Sequence, residues 1–154
     1  METWPHILEM CEVFKQERLI VWLKSRQIGA SWLLAAYDLW TALFQEGANV
    51  LLFSQGEPEA QDKLSKCRLI HAHLPPELQV PVGVDNRSEL TFPQMDSSIR
   101  ALPSTPKAGR SSTGTLVDMD EADFHEYFEA NYNAVKPILD DNQGQLILTS
   151  TSNA

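Results

Sequence analysis

The segment KSRQIGASW resembles a phosphate-binding loop in which one residue has been exchanged. The general pattern is G-x-x-x-x-G-K-[ST], in which backbone amides cradle phosphate oxygens, the lysine neutralises their charge and the hydroxyl binds Mg²⁺. Gly29 and Ser31 match the second glycine and the hydroxyl, but Ala30 replaces the lysine. Because a long side chain from the start of the loop can reach the same phosphates, Lys24 and Arg26 are the alternative cations. Alone, the segment fits an ordinary strand–helix turn at least as well.

A pair of carboxylates strengthens the phosphate-site interpretation. The segment TLVDMDEAD ends a β-prone run in Asp120 and Glu121, which is the Walker B arrangement. There, an aspartate holds Mg²⁺ and a glutamate polarises the attacking water. An isolated Asp-Glu is more often a solvated loop, but its position after a phosphate-type loop favours a site. Asp118 occupies a normally apolar position, so it is either paired or the true metal ligand.

The order of apolar segments predicts the elements that must position these groups. Expected strands are RLIVWL at 18–23, NVLLFS at 49–54, SELTF, SSIRALP, the run before the carboxylates, and GQLILTSTS. Expected helices are the N-terminal stretch, SWLLAAYDLWTALFQEG closed by Gly47, the segment 58–74, and part of EYFEANYNAVKPIL. We expect the first strand to be buried and the helix after the loop to be buried on nearly all sides. SELTF and SSIRALP are expected to pair antiparallel.

Alternating strands and helices predict an α/β fold with a mostly parallel sheet, in which ligands bind beyond the C-terminal ends of the strands. The length of 154 residues allows one domain. A formal net charge of -9 argues against a uniformly nucleic-acid-binding surface. Cys11 and Cys67 have no metal-type spacing and indicate ordinary thiols. The acidic N-terminus and the short apolar runs predict no secretory signal and no membrane span.

At these residues the sequence resembles a known family, the large terminase subunit of tailed bacteriophages, in its N-terminal ATPase domain. KSRQIGAS is similar to that family's loop, in which the lysine can stand at the front. LLFSQGEPEAQDKL resembles the following strand and helix, STPKAGRSSTGTLVDMDEAD the arginine-containing approach to Walker B, and LILTSTSNA the coupling motif. The resemblance covers nearly the whole chain and implies a P-loop NTPase fold of the RecA/ASCE type.

The resemblance assigns roles to individual residues. The implied ATP-binding segment is Lys24, Ser25, Arg26, Gln27, Ile28, Gly29, Ala30, Ser31 and Trp32. Ser31 and Asp120 become ligands of Mg²⁺, and Glu121 becomes the catalytic carboxylate. Arg110 matches an arginine finger that acts on a neighbouring subunit's nucleotide. The coupling residues, which sense the γ-phosphate, are Thr149, Ser150 and Thr151.

The resemblance also implies a biological setting. The cofactors would be ATP and Mg²⁺, and the cycle would move double-stranded DNA into a procapsid. Expected partners are that DNA, the portal protein, the small terminase subunit and further copies of the chain in a ring, without a membrane, in the cytoplasm of the infected bacterial host. The domain spans 1–154, and the family's nuclease domain is expected to be absent. Two alternatives stay open: a RecA-like lobe of a helicase, and a non-catalytic docking module with a decayed nucleotide site.

Two further patterns favour structural roles. His71 and His73 form an H-x-H whose side chains would point to different sides of a helix, so we expect no metal site there. The tryptophans Trp22, Trp32 and Trp40 lie within apolar segments and are expected in the core.

Overall fold

The computed structural model of the chain describes residues 4–110 and 113–151. The helices are α1 (Pro5–Gln16), α2 (Ala30–Phe44), α3 (Glu57–Ala72) and α4 (Phe128–Asp141). The strands are β1 (Leu19–Lys24), β2 (Asn49–Ser54), β3 (Glu89–Phe92), β4 (Ser97–Pro103), β5 (Leu116–Met119) and β6 (Gln145–Thr151). Short 3-10 turns begin at Pro76, Pro93 and Ala122. None of the described helices is long and apolar enough to cross a membrane.

The strands form one 6-stranded sheet in the order β1-β6-β5-β2-β4-β3. All neighbouring pairs are parallel except β3 and β4, which pair antiparallel. The predicted α/β fold, with a mostly parallel sheet flanked by helices, is therefore confirmed. The antiparallel pairing of SELTF and SSIRALP is also confirmed.

The centre of the sheet is buried on both faces, as its apolar sequence requires. In β2, Val50 and Leu52 belong to the core beneath α2 and α3, whereas Leu51 and Phe53 face the core beneath α4. Side chains alternate across a strand, so a continuous apolar run such as VLLF can fill two cores at once. This double burial fixes the register of the central strands and the places where they end.

Strand β1 differs from the prediction of a fully buried strand. Among the described residues it pairs on one side, with β6. Its burial alternates, and Leu19, Val21 and Leu23 are exposed. The prediction was wrong because RLIVWL is apolar at every position, and an apolar run alone cannot distinguish an edge strand from a central one.

Helix α2 also departs from its prediction. Leu34, Ala35 and Leu39 are buried, but Trp32 and Trp40 are 47% and 52% exposed and Phe44 is exposed as well. The helix is therefore not buried on all sides, and the placement of Trp32 and Trp40 in the core was wrong. The third tryptophan, Trp22, is half-buried and packs against the core.

Candidate functional site

Three neighbouring strands end together at one edge of the sheet. Strand β6 lies between β1 and β5, and its register pairs Lys24 with Thr151, the last residues of β1 and β6. Strand β5 ends at Met119, so Asp120 and Glu121 follow directly at the same edge. The parallel sheet thus brings together residues that lie up to 127 positions apart in the chain, from Lys24 to Thr151.

Lys24 forms ion pairs with both carboxylates at this edge. Its Nζ lies 2.8 Å from Glu121 Oε1 and 3.7 Å from Asp120 Oδ1. The lysine is buried, whereas the side chain of Glu121 remains 33% exposed. We call this group of Lys24, Asp120 and Glu121 the rim cluster. In this arrangement the front lysine of the loop contacts the acidic pair directly.

The predicted coupling residues contact the rim cluster. The Thr149 hydroxyl donates to Asp120 Oδ1 at 2.6 Å. The backbone N–H and the hydroxyl of Thr151 donate to Glu121 Oε2 at 3.1 and 3.0 Å. Ser150 points to the other face, where its buried hydroxyl has no hydrogen-bond partner among the described residues. Strand β6 therefore links the two carboxylates through Thr149 and Thr151.

Both carboxylates of the rim cluster are held in the ionised form. Partial burial acts to raise the pKa of Asp120, but Lys63, the Thr149 hydroxyl and Lys24 outweigh it, so the pKa lies below its usual value. Burial also acts to raise the pKa of Glu121, but the Lys24 and Thr151 hydrogen bonds lower it overall. Near neutral pH, both side chains are therefore carboxylates that can accept hydrogen bonds or bind a cation.

Backbone geometry fixes the carboxylates further. Glu121 adopts a left-handed conformation with φ 52°, and its N–H donates to Asp120 Oδ1 at 3.0 Å. The buried ring of His125 places Nε2 2.8 Å from the carbonyl oxygen of Asp120. Burial lowers the pKa of His125, which favours the neutral ring as the donor of this hydrogen bond. Sequence reasoning missed His125 because no spacing pattern marks a histidine that bonds to the backbone.

The loop between β1 and α2 has a conformation suited to an anion. Gln27 and Gly29 adopt positive φ angles of 60° and 78°. Gly29 is the N-cap of α2 and has no side chain to bond the first amides of the helix. A cavity of about 220 Å³ lies against this loop, which we call the loop cavity. It is lined by Lys24, Ser25, Gln27, Ile28, Gly29, Ala30, Ser31, Trp32 and Lys66. Loops in which residues with positive φ alternate with right-handed residues can bind anions through their backbone N–H groups.

Two further cavities adjoin the loop cavity. The acidic cavity, of about 430 Å³, is lined by Ser31, Ser54, Gln55, Pro58, Glu59, Asp62, Lys63, Lys66, Asp120 and Glu121. The rim cavity, of about 480 Å³, is lined by Lys24, Arg26, Gln27, Ser31, Gln55, Glu121, Phe124 and Thr151. Ser31 lines all three cavities, so its hydroxyl lies where the loop, the carboxylates and Arg26 meet.

The donor set around Ser31 fits Mg²⁺ when a phosphate is also bound. Within the described ranges no group of three or more His, Cys, Asp or Glu side chains could hold a metal alone. Mg²⁺ instead prefers oxygen ligands and commonly takes one or two protein groups, with waters and phosphate oxygens completing its shell. Ser31 and Asp120, which line the same cavity, offer one hydroxyl and one carboxylate of this kind.

Asp118 belongs to a second lysine–carboxylate group, which is formed by residues of β5, α2 and α3. It is fully buried and forms an ion pair with Lys63 of α3, which is itself buried. Asp38 of α2 is also fully buried, and its oxygens find no donor in the described part of the chain. We call Asp38, Lys63 and Asp118 the buried cluster. Of the two alternatives for Asp118, the structure favours the paired one.

The protonation of the buried cluster follows from its burial. Burial and the neighbouring Asp118 raise the pKa of Asp38 far above its usual range. Burial also raises the pKa of Asp118, but Lys63 offsets part of that effect. The pKa of Asp38 is raised the more strongly of the two, so burial favours its neutral form, whereas the ion pair with Lys63 favours the carboxylate of Asp118. Sequence reasoning did not find Asp38 or Lys63, which lie within helices without a motif.

Solved structures with the same arrangement of strands and helices are large terminases of bacteriophages. No family model matches the chain. The HK97 bacteriophage large terminase aligns over 100% of this chain and 34% of its own length, with a TM-score of 0.78 and 14% identity. The large terminase ATPase domain of Thermus phage P74-26 aligns over 86% of this chain and 59% of its own, with a TM-score of 0.67 and 19% identity.

A third neighbour contains a nucleotide. The large terminase of a thermophilic bacteriophage, in complex with ADP, aligns over 90% of this chain and 34% of its own length, with a TM-score of 0.68 and 12% identity. The chain has the fold of the large-terminase ATPase domain. That fold is the P-loop NTPase fold that the family resemblance implied, and the chain spans about a third of the length of two of these terminases.

The structure places Arg110 apart from the three cavities of this terminase-like fold. Arg110 is exposed in the loop between β4 and β5, and its N–H donates to the Lys107 carbonyl at 3.4 Å. Among the residues described, it lines none of the three cavities. Its predicted role on a neighbouring subunit's nucleotide stays a prediction, and the chain alone does not bring it to the carboxylates.

The two histidines of the H-x-H make separate contacts in the terminase-like fold. His71 Nε2 lies 3.0 Å from the Val80 carbonyl, and His73 Nδ1 lies 2.8 Å from the Leu69 carbonyl. Each ring therefore has one nitrogen within hydrogen-bond distance of a different backbone carbonyl oxygen.

Proposed function

We propose that the chain is the ATPase domain of a viral DNA-packaging motor, which hydrolyses ATP to ADP and phosphate. The observation that carries this proposal is the rim cluster beside the loop cavity. Lys24 and Glu121 are in contact at 2.8 Å, and Thr149 and Thr151 bond the same carboxylate pair. A phosphate loop, a carboxylate pair and sensing hydroxyls at the ends of adjacent parallel strands are the parts that ATP hydrolysis requires.

The loop would bind the phosphates of ATP. Its amides around Gly29 and the start of α2 face a cavity that can take an anion. Lys24 and Arg26 supply positive charge from the front of the loop, because Ala30 has none. Ser31 and Asp120 would hold Mg²⁺, which neutralises charge on the phosphate oxygens when bound. An ADP complex of a neighbouring terminase supports nucleotide binding by this fold.

Glu121 would act as the general base. A water positioned by Glu121 attacks the γ-phosphorus, its proton passes to the carboxylate, and the bond to the bridging oxygen breaks to release ADP. In the structure Glu121 Oε1 contacts Lys24 and Oε2 accepts from Thr151. If the phosphates attract Lys24, Glu121 loses one of the contacts that lower its pKa and becomes a stronger base.

The packaging role rests on the likeness to phage large terminases. We propose that copies of the chain assemble as a ring on the portal protein, in the cytoplasm of the infected host, and move double-stranded DNA into a procapsid with the small terminase subunit. Arg110, which is exposed in the loop before β5, would reach the nucleotide of the adjacent copy. A finger supplied in this way is worth about 10³ to 10⁵ in rate, so the isolated chain should turn over slowly.

The decisive experiment is a calorimetric titration with Mg²⁺ and a non-hydrolysable ATP analogue, using the wild-type chain, Lys24→Ala and Lys136→Ala. Lys136 is a matched control, because it forms an exposed pair with Asp140 on α4, away from the site. We expect Lys24→Ala to weaken binding by about tenfold or more and Lys136→Ala to leave it unchanged. No binding by the wild-type chain would contradict the proposal and favour a docking module.

A second measurement tests catalysis separately from binding. Glu121→Gln should bind the ATP analogue but lose hydrolysis by about a hundredfold or more, because the amide cannot take the proton. Turnover that survives in Glu121→Gln would mean that Glu121 is not the base, even if nucleotide binding is intact.

A further inference from the structure

The loop cavity is short of positive charge. Most phosphate loops place a lysine directly before the hydroxyl, where this chain has Ala30. Lys24 lines the cavity but is engaged by Glu121 at 2.8 Å and by Asp120 at 3.7 Å. Arg26 lines the rim cavity on the other side of the loop. Lys24, one of the two lysines that line the loop cavity, is therefore already shared with two carboxylates.

The acidic cavity makes this shortage more severe. Its lining includes the carboxylates of Glu59, Asp62, Asp120 and Glu121. Lys63 also lines it, but Lys63 is paired with the buried Asp118. A phosphate chain that extends from the loop toward this cavity would meet four acids, so a cation at the boundary between the two cavities is needed to offset their repulsion.

Lys66 lies at that boundary. It lines both the loop cavity and the acidic cavity. Its Nζ is 5.9 Å from the centre of the Trp32 ring, which belongs to the first turn of α2. The side chain is 20% exposed and pairs with Asp62, one turn earlier on α3. Its ammonium group is thus held beside the loop by a partner that a ligand can replace.

The packing of α3 fixes the position from which Lys66 extends. Leu64 and Cys67, on the buried face of the same helix, are fully buried. The Cys67 thiol lies 3.5 Å from the carbonyl oxygen of Ala35 in α2. Because α3 is packed against the helix that starts at the loop, the Cα of Lys66 is held at a set distance from that loop.

We propose that Lys66 is a phosphate-contacting residue of the nucleotide site, supplied by α3 in place of the lysine that Ala30 lacks. The inference rests on the proposed nucleotide-binding function and adds a binding residue to it. Without nucleotide, Asp62 neutralises Lys66; with nucleotide, the phosphates take the place of Asp62. Since the attraction grows with the charge of the ligand, Lys66 favours ATP over AMP.

The test compares calorimetric affinities for a non-hydrolysable ATP analogue and for AMP, both with Mg²⁺, in the wild-type chain and in Lys66→Met. We expect the variant to lose about tenfold to a hundredfold in affinity for the ATP analogue and clearly less for AMP. Lys66→Arg, which keeps the charge, should retain most of the affinity. Asp62→Asn, which releases Lys66, should bind the analogue at least as tightly as the wild-type chain.

Lys136→Met is the matched control, because Lys136 also pairs with an aspartate four residues away on a helix. It should leave both affinities unchanged. If the wild-type chain binds the analogue and Lys66→Met binds it equally well, Lys66 is not a phosphate contact, although the proposed function stands. If the wild-type chain binds no nucleotide, the proposed function fails and the role of Lys66 fails with it.

Discussion

The buried cluster and the rim cluster contain the same ingredients, one lysine and two carboxylates, in opposite surroundings. Lys63 and Asp118 have side chains that are 4% and 0% exposed, and Asp38 is also fully buried. In the rim cluster Lys24 and Asp120 are buried as well, but Glu121 is 33% exposed and lines both the acidic cavity and the rim cavity. The difference teaches that charge alone does not mark a functional site. Only the cluster that can exchange its partners for a ligand or for water can take part in chemistry.

Removing the lysine of the buried cluster should have the largest effect on stability. Lys63→Met leaves Asp118 as a buried carboxylate without its partner, so we expect a loss of about 3 to 5 kcal/mol in the free energy of unfolding. Urea unfolding, followed by far-UV circular dichroism, measures it. A loss below that of a surface substitution would mean that water reaches Asp118, and the contrast between the clusters would not hold.

The equivalent change in the rim cluster should cost less. Lys24→Met removes the charge between Asp120 and Glu121, but water can solvate the exposed Glu121, and Asp120 keeps its hydrogen bonds from Thr149 and the Glu121 N–H. We expect a loss of about 1 to 2 kcal/mol, between the values for exposed and buried pairs. The same urea experiment, run beside Lys63→Met, compares the clusters directly. Equal losses for the two variants would contradict the idea that the rim cluster is open.

The proton on Asp38 should make stability depend on pH. The folded state keeps this proton while the unfolded state releases it above about pH 4, because the pKa of Asp38 is raised by burial and by Asp118. The folded state then binds one more proton, so this group lowers the free energy of unfolding by about 1.4 kcal/mol per pH unit from there up to its folded pKa.

Asp38→Asn removes that contribution, since the amide does not titrate. Unfolding free energies measured from pH 5 to 8 should therefore fall less steeply in the variant than in the wild-type chain. Parallel curves for the two proteins would mean that Asp38 is ionised in the folded state.

The smallest effect is expected from a hydroxyl of the rim cluster. Thr149→Val removes the donor to Asp120 Oδ1, which also accepts from the Glu121 N–H and lies near Lys24. We expect a loss of about 1 kcal/mol in stability and a higher pKa for Asp120, because one contact of the ionised form is gone. A titration of the Asp120 carboxyl by NMR checks the direction. An unchanged pKa would indicate that water replaces the hydroxyl.

The residues of the rim cluster were identified from the sequence, but of the buried cluster only Asp118 was identified. The rim residues follow β-prone runs, and strand ends gather at one edge of a parallel sheet, so Lys24, Asp120 and Glu121 could be selected from residue type and order. The threonines were selected only through the family resemblance. Asp38 and Lys63 lie in helices with no spacing that relates them to Asp118. Their meeting depends on how α2 and α3 pack against β5, which a linear pattern does not contain.

The errors about exposure have a related cause. Val21 and Trp40 are apolar residues in apolar segments, yet both are exposed. The sequence predicted the type of element in each case, but the neighbours that cover an element come from distant parts of the chain. The sheet order, with β1 at an edge, decides which apolar residues are covered.

The register of β6 also determines which of its side chains contact the rim cluster. Thr149 and Thr151 point to the carboxylates because Lys24 pairs with Thr151 and Met119 pairs with Leu148 across the ladders. A slip by one residue would turn both threonines away and present Ser150 instead. Backbone pairing in three strands is therefore a single condition for all of these contacts. The threonine contacts can form only when β6 lies between β1 and β5 in this register.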